Sequence, residues 1–301
     1  MMVAVAPTVF ALFGPTGVGK TALAIAVADR LRARGERPVA VSADALQVYA
    51  GLETLTGVAT PEERARLEHR LVAFLPVTET FSAGRYAQLA HREIDGLVAD
   101  GATPIVVGGT GLYLRAALTE LALRPQPPPG LREQIVARLE DEGAAALHAG
   151  LVQREPWTAE TVRSTDTHRL IRTLELEALG ALTPPRPQSQ LWTTETRHPT
   201  RLVACVMERT ALHGAIAARV ERMVADGAAD QVRRADAAGA SPTARKALGF
   251  QELLDDDPGG MLGRTRRYAR RQVTWLRKLP DVETVDLTDR RPEDVAAELL
   301  P

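Results

Sequence analysis

Three features of the amino-acid sequence predict an α/β fold: a parallel sheet core with helices on both faces and a small all-helical insertion. Short β-rich runs alternate with helical patterns in the N-terminal part, which is how strands joined by crossover helices read in a sequence. Two proline clusters, Arg124 to Gly130 and Pro184 to Pro187, suit neither a helix nor a central strand, and they bracket a segment without convincing strands. An apolar strand candidate then returns at Arg201 to Met207. The expected division is a core of residues 1–123 and 200–301 around an insertion of residues 124–199.

Taken in order, the apolar run Val3 to Phe13 supplies a first core strand at Val9 to Phe13, followed by a helix over Thr21 to Arg34. A strand at Pro38 to Ser42, a helix at Ala83 to Ala99 and a strand at Pro104 to Val107 continue the alternation. Between the proline clusters, Leu131 to Leu182 is rich in Ala, Leu, Glu and Arg. Thr165 or Asp166 stands where it would cap a helix through Leu170, Leu174 and Leu179. Beyond Met207, helical stretches fall near Ala211 to Ala237, Thr243 to Leu254 and Gly263 to Leu279, and Val282 to Leu287 reads as a last strand.

Composition narrows the function classes. The 301 residues are 45% hydrophobic and 25% charged, as in a globular chain, and the formal net charge is -1. A polyanionic partner would therefore be met by locally concentrated Lys and Arg rather than by the field of the whole molecule. Cys205, the single cysteine, excludes an internal disulfide framework and a zinc cluster built on several thiolates. Within its apolar run it reads as a small buried hydrophobe. No basic segment precedes the first apolar run, and no run approaches the roughly 20 residues needed to span a bilayer, so a cytoplasmic location is expected.

Gly14, Pro15, Thr16, Gly17, Val18, Gly19, Lys20 and Thr21 fit the pattern G-x-x-x-x-G-K-[ST], between an apolar strand and a helical pattern. That context makes the core P-loop NTPase-like. The glycines let backbone N–H groups turn toward phosphate oxygens, and the helix N-terminus adds its positive partial charge. Lys20 would neutralise phosphate charge, and Thr21 would ligate Mg²⁺ through its hydroxyl. A second apolar strand ending in Asp usually helps hold the metal in P-loop kinases and NTPases. Here the corresponding run, Pro104 to Gly111, ends in glycines. The available carboxylate is Asp44, after the strand-like Val39 to Ser42, where it is either a base near the phosphates or the cap of the next helix.

These segments together resemble the bacterial-type tRNA dimethylallyltransferases (tRNA isopentenyltransferases). The resemblance runs from the P-loop to about Lys278 and rests on Gly14 to Thr21, Asp44 to Tyr49, Gly108 to Tyr113, His168 to Arg172 and Arg271 to Arg277, in this order and spacing. It implies that the P-loop receives the diphosphate of dimethylallyl diphosphate. The exocyclic amine of the adenosine beside the anticodon then attacks the allylic carbon. Asp44 matches the family's general base and Thr110 an active-site threonine, the alternative for Thr110 being a simple turn residue. Three departures stand out: Ala45 where the family commonly has Ser, Leu55 to Ala59 where it has Gly-Thr-Ala-Lys, and Gly249-Phe250 where it has Gly-Tyr. Phe250 is expected to keep an aromatic surface there.

For the RNA, the resemblance implies Asp44, Ala45, Leu46 and Gln47 near the reacting base, with Lys246, Gly249 and Phe250 also on the tRNA side. Arg132, His168, Arg169 and Arg172 of the insertion would clasp the anticodon stem-loop. Along Arg266 to Lys278, helical spacing puts Arg267, Arg270, Arg271, Thr274, Arg277 and Lys278 on one face, with Tyr268, Gln272, Trp275 and Leu279 on another. By charge alone such a stripe is a solvated surface; the resemblance makes Arg270, Arg271, Gln272, Trp275 and Arg277 tRNA contacts. Two rivals remain, a small-molecule P-loop kinase using bound ATP and a non-catalytic nucleotide-dependent RNA-binding module. A monomer is expected, because no extended apolar stripe is left unassigned.

Overall fold

All strands of the sheet run parallel, and burial on both faces accounts for the apolar character of its central runs. The computed structural model describes residues 9–121, 124–184, 193, 195–279 and 282–301. The sheet consists of β1 (Val9–Phe13), β2 (Pro38–Ala43), β3 (His69–Arg70), β4 (Thr103–Gly108), β5 (Thr200–Val206) and β6 (Glu283–Asp286), ordered β3-β2-β4-β1-β5-β6. All pairings are parallel, with β1 at the centre between β4 and β5. Every residue of β1 and β2 is buried, as expected of strands covered on both faces. The fold is P-loop NTPase-like α/β.

The helices of the core follow from local signals. Helix α1 (Lys20–Ala33) starts at the glycine loop and buries Leu23, Ile25, Val27 and Leu31. The short α2 (Glu53–Thr56) and α3 (Pro61–Arg66) come next, α3 opened by a capping box between Thr60 and Glu63. Ser82 caps α4 (Ala83–Ala99), and α5 (Gly111–Leu118) follows β4 directly.

After α5 the chain leaves the core, and it comes back through residues 195–199 into β5. Arg115 of α5 is 1% exposed, and its guanidinium donates to Thr193 Oγ1 at 2.8 Å and to the Glu195 carbonyl at 3.1 Å. The Arg197 amide donates to the Leu118 carbonyl at 2.8 Å, so departure and return run side by side.

The chain divides into two compact units, Met1–Leu121 with Leu191–Pro301, and Ala122–Gln190. The second holds α6 (Leu131–Glu142), α7 (Ala144–Arg154), α8 (Thr158–Thr161) and α9 (Thr167–Ala178), with no strand among its described residues. Asp166 caps α9 by accepting from the Arg169 amide at 3.1 Å. Ile135, Leu147, Leu151, Val162, Leu170, Ile171 and Leu174 form its separate core.

In the first unit, β5 leads to α10 (Arg209–Ala225) and α11 (Ala228–Ala237), then α12 (Phe250–Leu254), α13 (Pro258–Leu276) and α14 (Pro292–Leu299). The stretch expected as one helix over Ala211 to Ala237 is two, because Gly227 adopts φ 82° and ends the first. Thr243 to Leu254 likewise splits into a short 3₁₀ turn at Ala244–Lys246 and α12, separated by Gly249 at φ 93°. Strand β3 and helix α14 were not expected. β3 has only two residues, and α14 is held by long-range contacts such as the Arg30 guanidinium on the Leu300 carbonyl at 2.8 Å. The part of the Val3 run before Val9, and Pro185 to Pro187 of the second proline cluster, lie outside the described residues.

Candidate active site

The carboxyl ends of three neighbouring strands deliver the candidate residues: the P-loop follows β1, Asp44 follows β2, and Gly109 and Thr110 follow β4, the strand between them. At roughly 4.8 Å per strand, about 10 Å separates the two outer loops. Gly17 and Gly19 sit at φ 84° and 97°, a backbone region that a side chain strains, and this turns the loop amides inward.

A cavity of about 750 Å³ opens here, lined on one side by Thr16, Gly17, Gly19, Lys20 and Thr21 and on another by Asp44, Leu46 and Gln47. Leu55, Val58, Met223, Leu248 and Met261 give it an apolar wall, so polar and apolar parts of one ligand can be accommodated together. The Lys20 ammonium donates to the carbonyls of Gly14 and Pro15 at 2.9 and 2.8 Å. Burial pushes Lys20 down to about 8, with Arg219 adding to the effect and Cys205 and Asp44 opposing it. Cys205 is buried beside the loop, its thiol pushed up to about 11 by burial, as a small packed hydrophobe would be.

Asp44 Oδ1 accepts from the Leu46 amide at 2.9 Å, so the carboxylate steadies the turn after β2 while it lines the cavity. Gln47 bridges Ser42 Oγ, at 2.8 Å, and the Gly57 carbonyl, at 2.9 Å, and thus forms part of the cavity wall. Thr110 Oγ1 lies 2.7 Å from the Tyr268 hydroxyl. Burial, and secondly the charge of Asp44, push Tyr268 up to about 12. Burial and then Asp44 also raise the hydroxyls of Tyr113 and Tyr86, leaving Asp44 faced by neutral phenols.

Several cavity residues escaped the sequence reading, Arg219 among them. Arg219 of α10 lines the cavity, and its guanidinium lies against Gly57, where any side chain would collide with it. Burial, and then Arg222, lower its pKa, whereas Asp44 favours its charge. No local motif marks it, because only the packing of α10 brings it to the loop between α2 and α3.

Helix α13 supports the site from behind. Asp257 caps it, and Met261, Thr265, Ala269 and Gln272 form its buried face. Gln272, 4% exposed, accepts from the Thr16 amide at 2.8 Å and donates to the Gly109 carbonyl at 2.7 Å. It is therefore a buried strut between the loops after β1 and β4 and not an exposed side chain. Trp275 is half-buried and packs against Gly111, where a β-carbon would collide with its ring. Arg267, Arg270, Arg271, Thr274, Arg277 and Lys278 are all exposed on the outer face.

The remaining candidates fall into two groups. Lys246 is exposed and Ala45 half-buried, but Gly249 and Phe250 are buried, Phe250 at 0% exposure under the Arg245 guanidinium. Phe250 is thus a core ring and not the aromatic surface expected of it. In the helical unit His168 and Arg169 are exposed. Arg132 and Arg172 both bind the buried Glu175, at 2.6 and 2.9 Å, and Arg172 also donates to the Pro125 carbonyl at 2.7 Å. Their charge is largely used inside the unit, because a buried carboxylate must be paired.

Comparison with known proteins places this geometry. The family model for IPP transferase matches residues 47–279. The tRNA dimethylallyltransferase of Thermobifida fusca (strain YX) is 36% identical over 301 residues, covering 94% of this chain and 92% of its own. That of Anaeromyxobacter dehalogenans (strain 2CP-1 / ATCC BAA-258) is 40% identical over 276 residues, covering 88% of each. Among solved structures, the tRNA isopentenylpyrophosphate transferase from Bacillus halodurans aligns with a TM-score of 0.69 at 28% identity, covering 97% of this chain and 94% of that one. A eukaryotic dimethylallyltransferase acting on tRNA shares the fold, with a TM-score of 0.76 at 22% identity, over 97% of this chain and 77% of that one. The chain belongs to the IPP transferase family.

Proposed function

We propose that this protein transfers a dimethylallyl group from dimethylallyl diphosphate to the exocyclic amine, N6, of the adenosine adjacent 3′ to the anticodon in tRNA, releasing diphosphate. The observation that carries the proposal is the shared cavity: the phosphate loop, the Asp44 carboxylate and an apolar wall open into one space. An adenine amino group is a weak nucleophile because its lone pair is delocalised into the ring, so removing its proton during attack assists the reaction. In the transfer the allylic C–O bond breaks and a C–N bond forms. The N6 proton passes to Asp44, and the electron pair of the broken bond leaves on the diphosphate. Loop amides, Lys20 and Arg219 are disposed to stabilise the charge that grows there. Thr110, paired with Tyr268, orients the substrates beside them.

Mg²⁺ fits the donor set, because the Thr21 hydroxyl stands at the loop among hard oxygen ligands that a diphosphate would complete. Among the described residues no group of three or more His, Cys, Asp or Glu could hold a metal alone, so the ion would arrive with the diphosphate and screen its charge.

The tRNA side of the proposal assigns phosphate contacts to the exposed face of α13 and grip on the anticodon stem-loop to the helical unit through His168 and Arg169. A splayed loop base can reach the cavity at an unstacking cost of a few kcal/mol. One copy of the chain suffices for these roles. Among the described residues no helix is long and apolar enough to cross a membrane, and a tRNA substrate favours a cytoplasmic protein.

Incubation with Mg²⁺, dimethylallyl diphosphate and unmodified tRNA should yield a prenylated adenosine by mass spectrometry. ATP-dependent phosphorylation of a metabolite with no such product would restore the kinase reading. Retained tRNA binding without any covalent product would leave a binding module.

A further inference from the structure

We propose that Gln272 is a positioning residue that couples RNA on the outer face of α13 to the shape of the diphosphate cradle. The inference rests on the function proposed above and adds a mechanism for communication between the two substrates.

The geometry assigns each end of the Gln272 amide without ambiguity. Thr16 presents an N–H, so the atom facing it at 2.8 Å must be the oxygen. Gly109 presents a carbonyl, so the atom facing it at 2.7 Å must be the nitrogen. One planar group thus joins the loop after β1 to the loop after β4. Thr16 belongs to the phosphate cradle, and Gly109 precedes Thr110. The join leaves no slack, because a β-carbon on Gly109 would run into the Gln272 amide nitrogen.

The helix carrying Gln272 has a second face of a different kind. Arg270 and Arg271, its immediate neighbours on the N-terminal side, are exposed, and the Arg271 guanidinium lies 5.6 Å from the centre of the Tyr268 ring. Tyr268 in turn pairs with Thr110 at 2.7 Å. A phosphate that draws on Arg270 or Arg271 therefore loads a helix whose inner face touches the cradle at Thr16, Gly109 and Thr110. Binding of tRNA and of diphosphate should favour the same setting of α13, and such coupling is reciprocal.

The test measures binding of inorganic diphosphate with Mg²⁺ to the full-length chain, with and without unmodified tRNA, and binding of tRNA with and without diphosphate. The wild-type protein should show mutual tightening within the range of about 5- to 150-fold typical of coupled sites. Gln272→Met keeps the length but removes donor and acceptor. It should bind tRNA with unchanged affinity and salt slope, lose the mutual tightening, and raise KM for the allylic diphosphate more than it lowers kcat. Gln272→Glu keeps the acceptor for Thr16 but turns a carboxylate toward the Gly109 carbonyl, so its KM should recover as pH falls and the carboxylate protonates. Gly109→Ala, which displaces the amide from the opposite side, should reproduce the loss of coupling without altering α13.

Thermal unfolding and retained tRNA binding exclude a folding defect. Undiminished coupling in Gln272→Met, or independent binding of the two ligands to wild type, overturns the proposal while prenyl transfer stands. Loss of tRNA affinity in Gln272→Met also overturns it, by making Gln272 an RNA contact. A wild-type protein that neither binds nor prenylates tRNA refutes the function itself.

Discussion

Burial beside the glycine loop holds Lys20 at about 8, from an ordinary value of 10.5, by disfavouring its charge. The difference corresponds to about 3 kcal/mol of disfavoured charge, which a bound diphosphate would remove by supplying an opposing charge at the ammonium. Because diphosphate binds the protonated amine, affinity should be highest near pH 7 and fall as pH rises through 8. At pH 9 the free amine is neutral by about ten to one, so Kd for the allylic diphosphate should rise about 10-fold between pH 7 and pH 9. The ligand's own last ionisation, at about 6 as for a phosphate monoester, is largely over by pH 7. Cys205, pushed up to about 11, does not titrate in it.

Calorimetry at saturating Mg²⁺, in buffers of different ionisation enthalpy, should detect close to one proton taken up per diphosphate at pH 9 and almost none at pH 7. Lys20→Met should bind more weakly and show neither the slope nor the proton. A wild-type affinity constant from pH 7 to 9, or a slope shared with Lys20→Met, would refute the reasoning.

Other perturbations address separate parts of the site. Asp44→Asn should leave diphosphate and tRNA binding nearly intact while slowing transfer by at least roughly 10²-fold, the usual scale for loss of a general base; near-normal single-turnover rates would remove Asp44 from that role. Arg271→Ala should weaken tRNA binding across sequences and reduce the slope of log K against log salt by about 1, and an unchanged slope would exclude a phosphate contact there. Glu175→Ala leaves Arg132 and Arg172, 41% and 30% exposed, without their shared carboxylate. The helical unit should lose about 2 kcal/mol, moderated by the arginines' access to water. Faster hydrogen exchange across residues 131–178 would register the loss, and unaltered exchange would contradict it.

The parts of this molecule legible in sequence are those whose physics is local. The glycine loop needs only β1 before it and α1 after it, and all three are contiguous, so motif and context could be read together. The two faces of α13 follow from helical spacing, and Arg267, Arg270, Arg271 and Arg277 are indeed exposed while Gln272 is buried. Spacing had already placed Gln272 on the inner face, and a polar residue there signals a partner. What it could not name was that partner, because Thr16 lies 256 residues away. Arg219 carries no such signal, since an arginine on an amphipathic helix ordinarily faces solvent. For Arg132 and Arg172 the resemblance implied tRNA contacts, and only the packing of α6 on α9 reveals that the buried Glu175 carboxylate pairs with both.

The stitch at Arg115 has a consequence for the growth of such a molecule. With Arg115 on Thr193 and Glu195, and Arg197 on Leu118, the core closes on itself whatever lies between. The entropy lost in closing a loop rises only with the logarithm of its length, so a passenger twice as long adds only about 0.6 kcal/mol to assembly of the sheet. The unit that carries Asp44 and the glycine loop is thus a socket, whose strands keep their register whatever length of chain is inserted between Leu118 and Thr193.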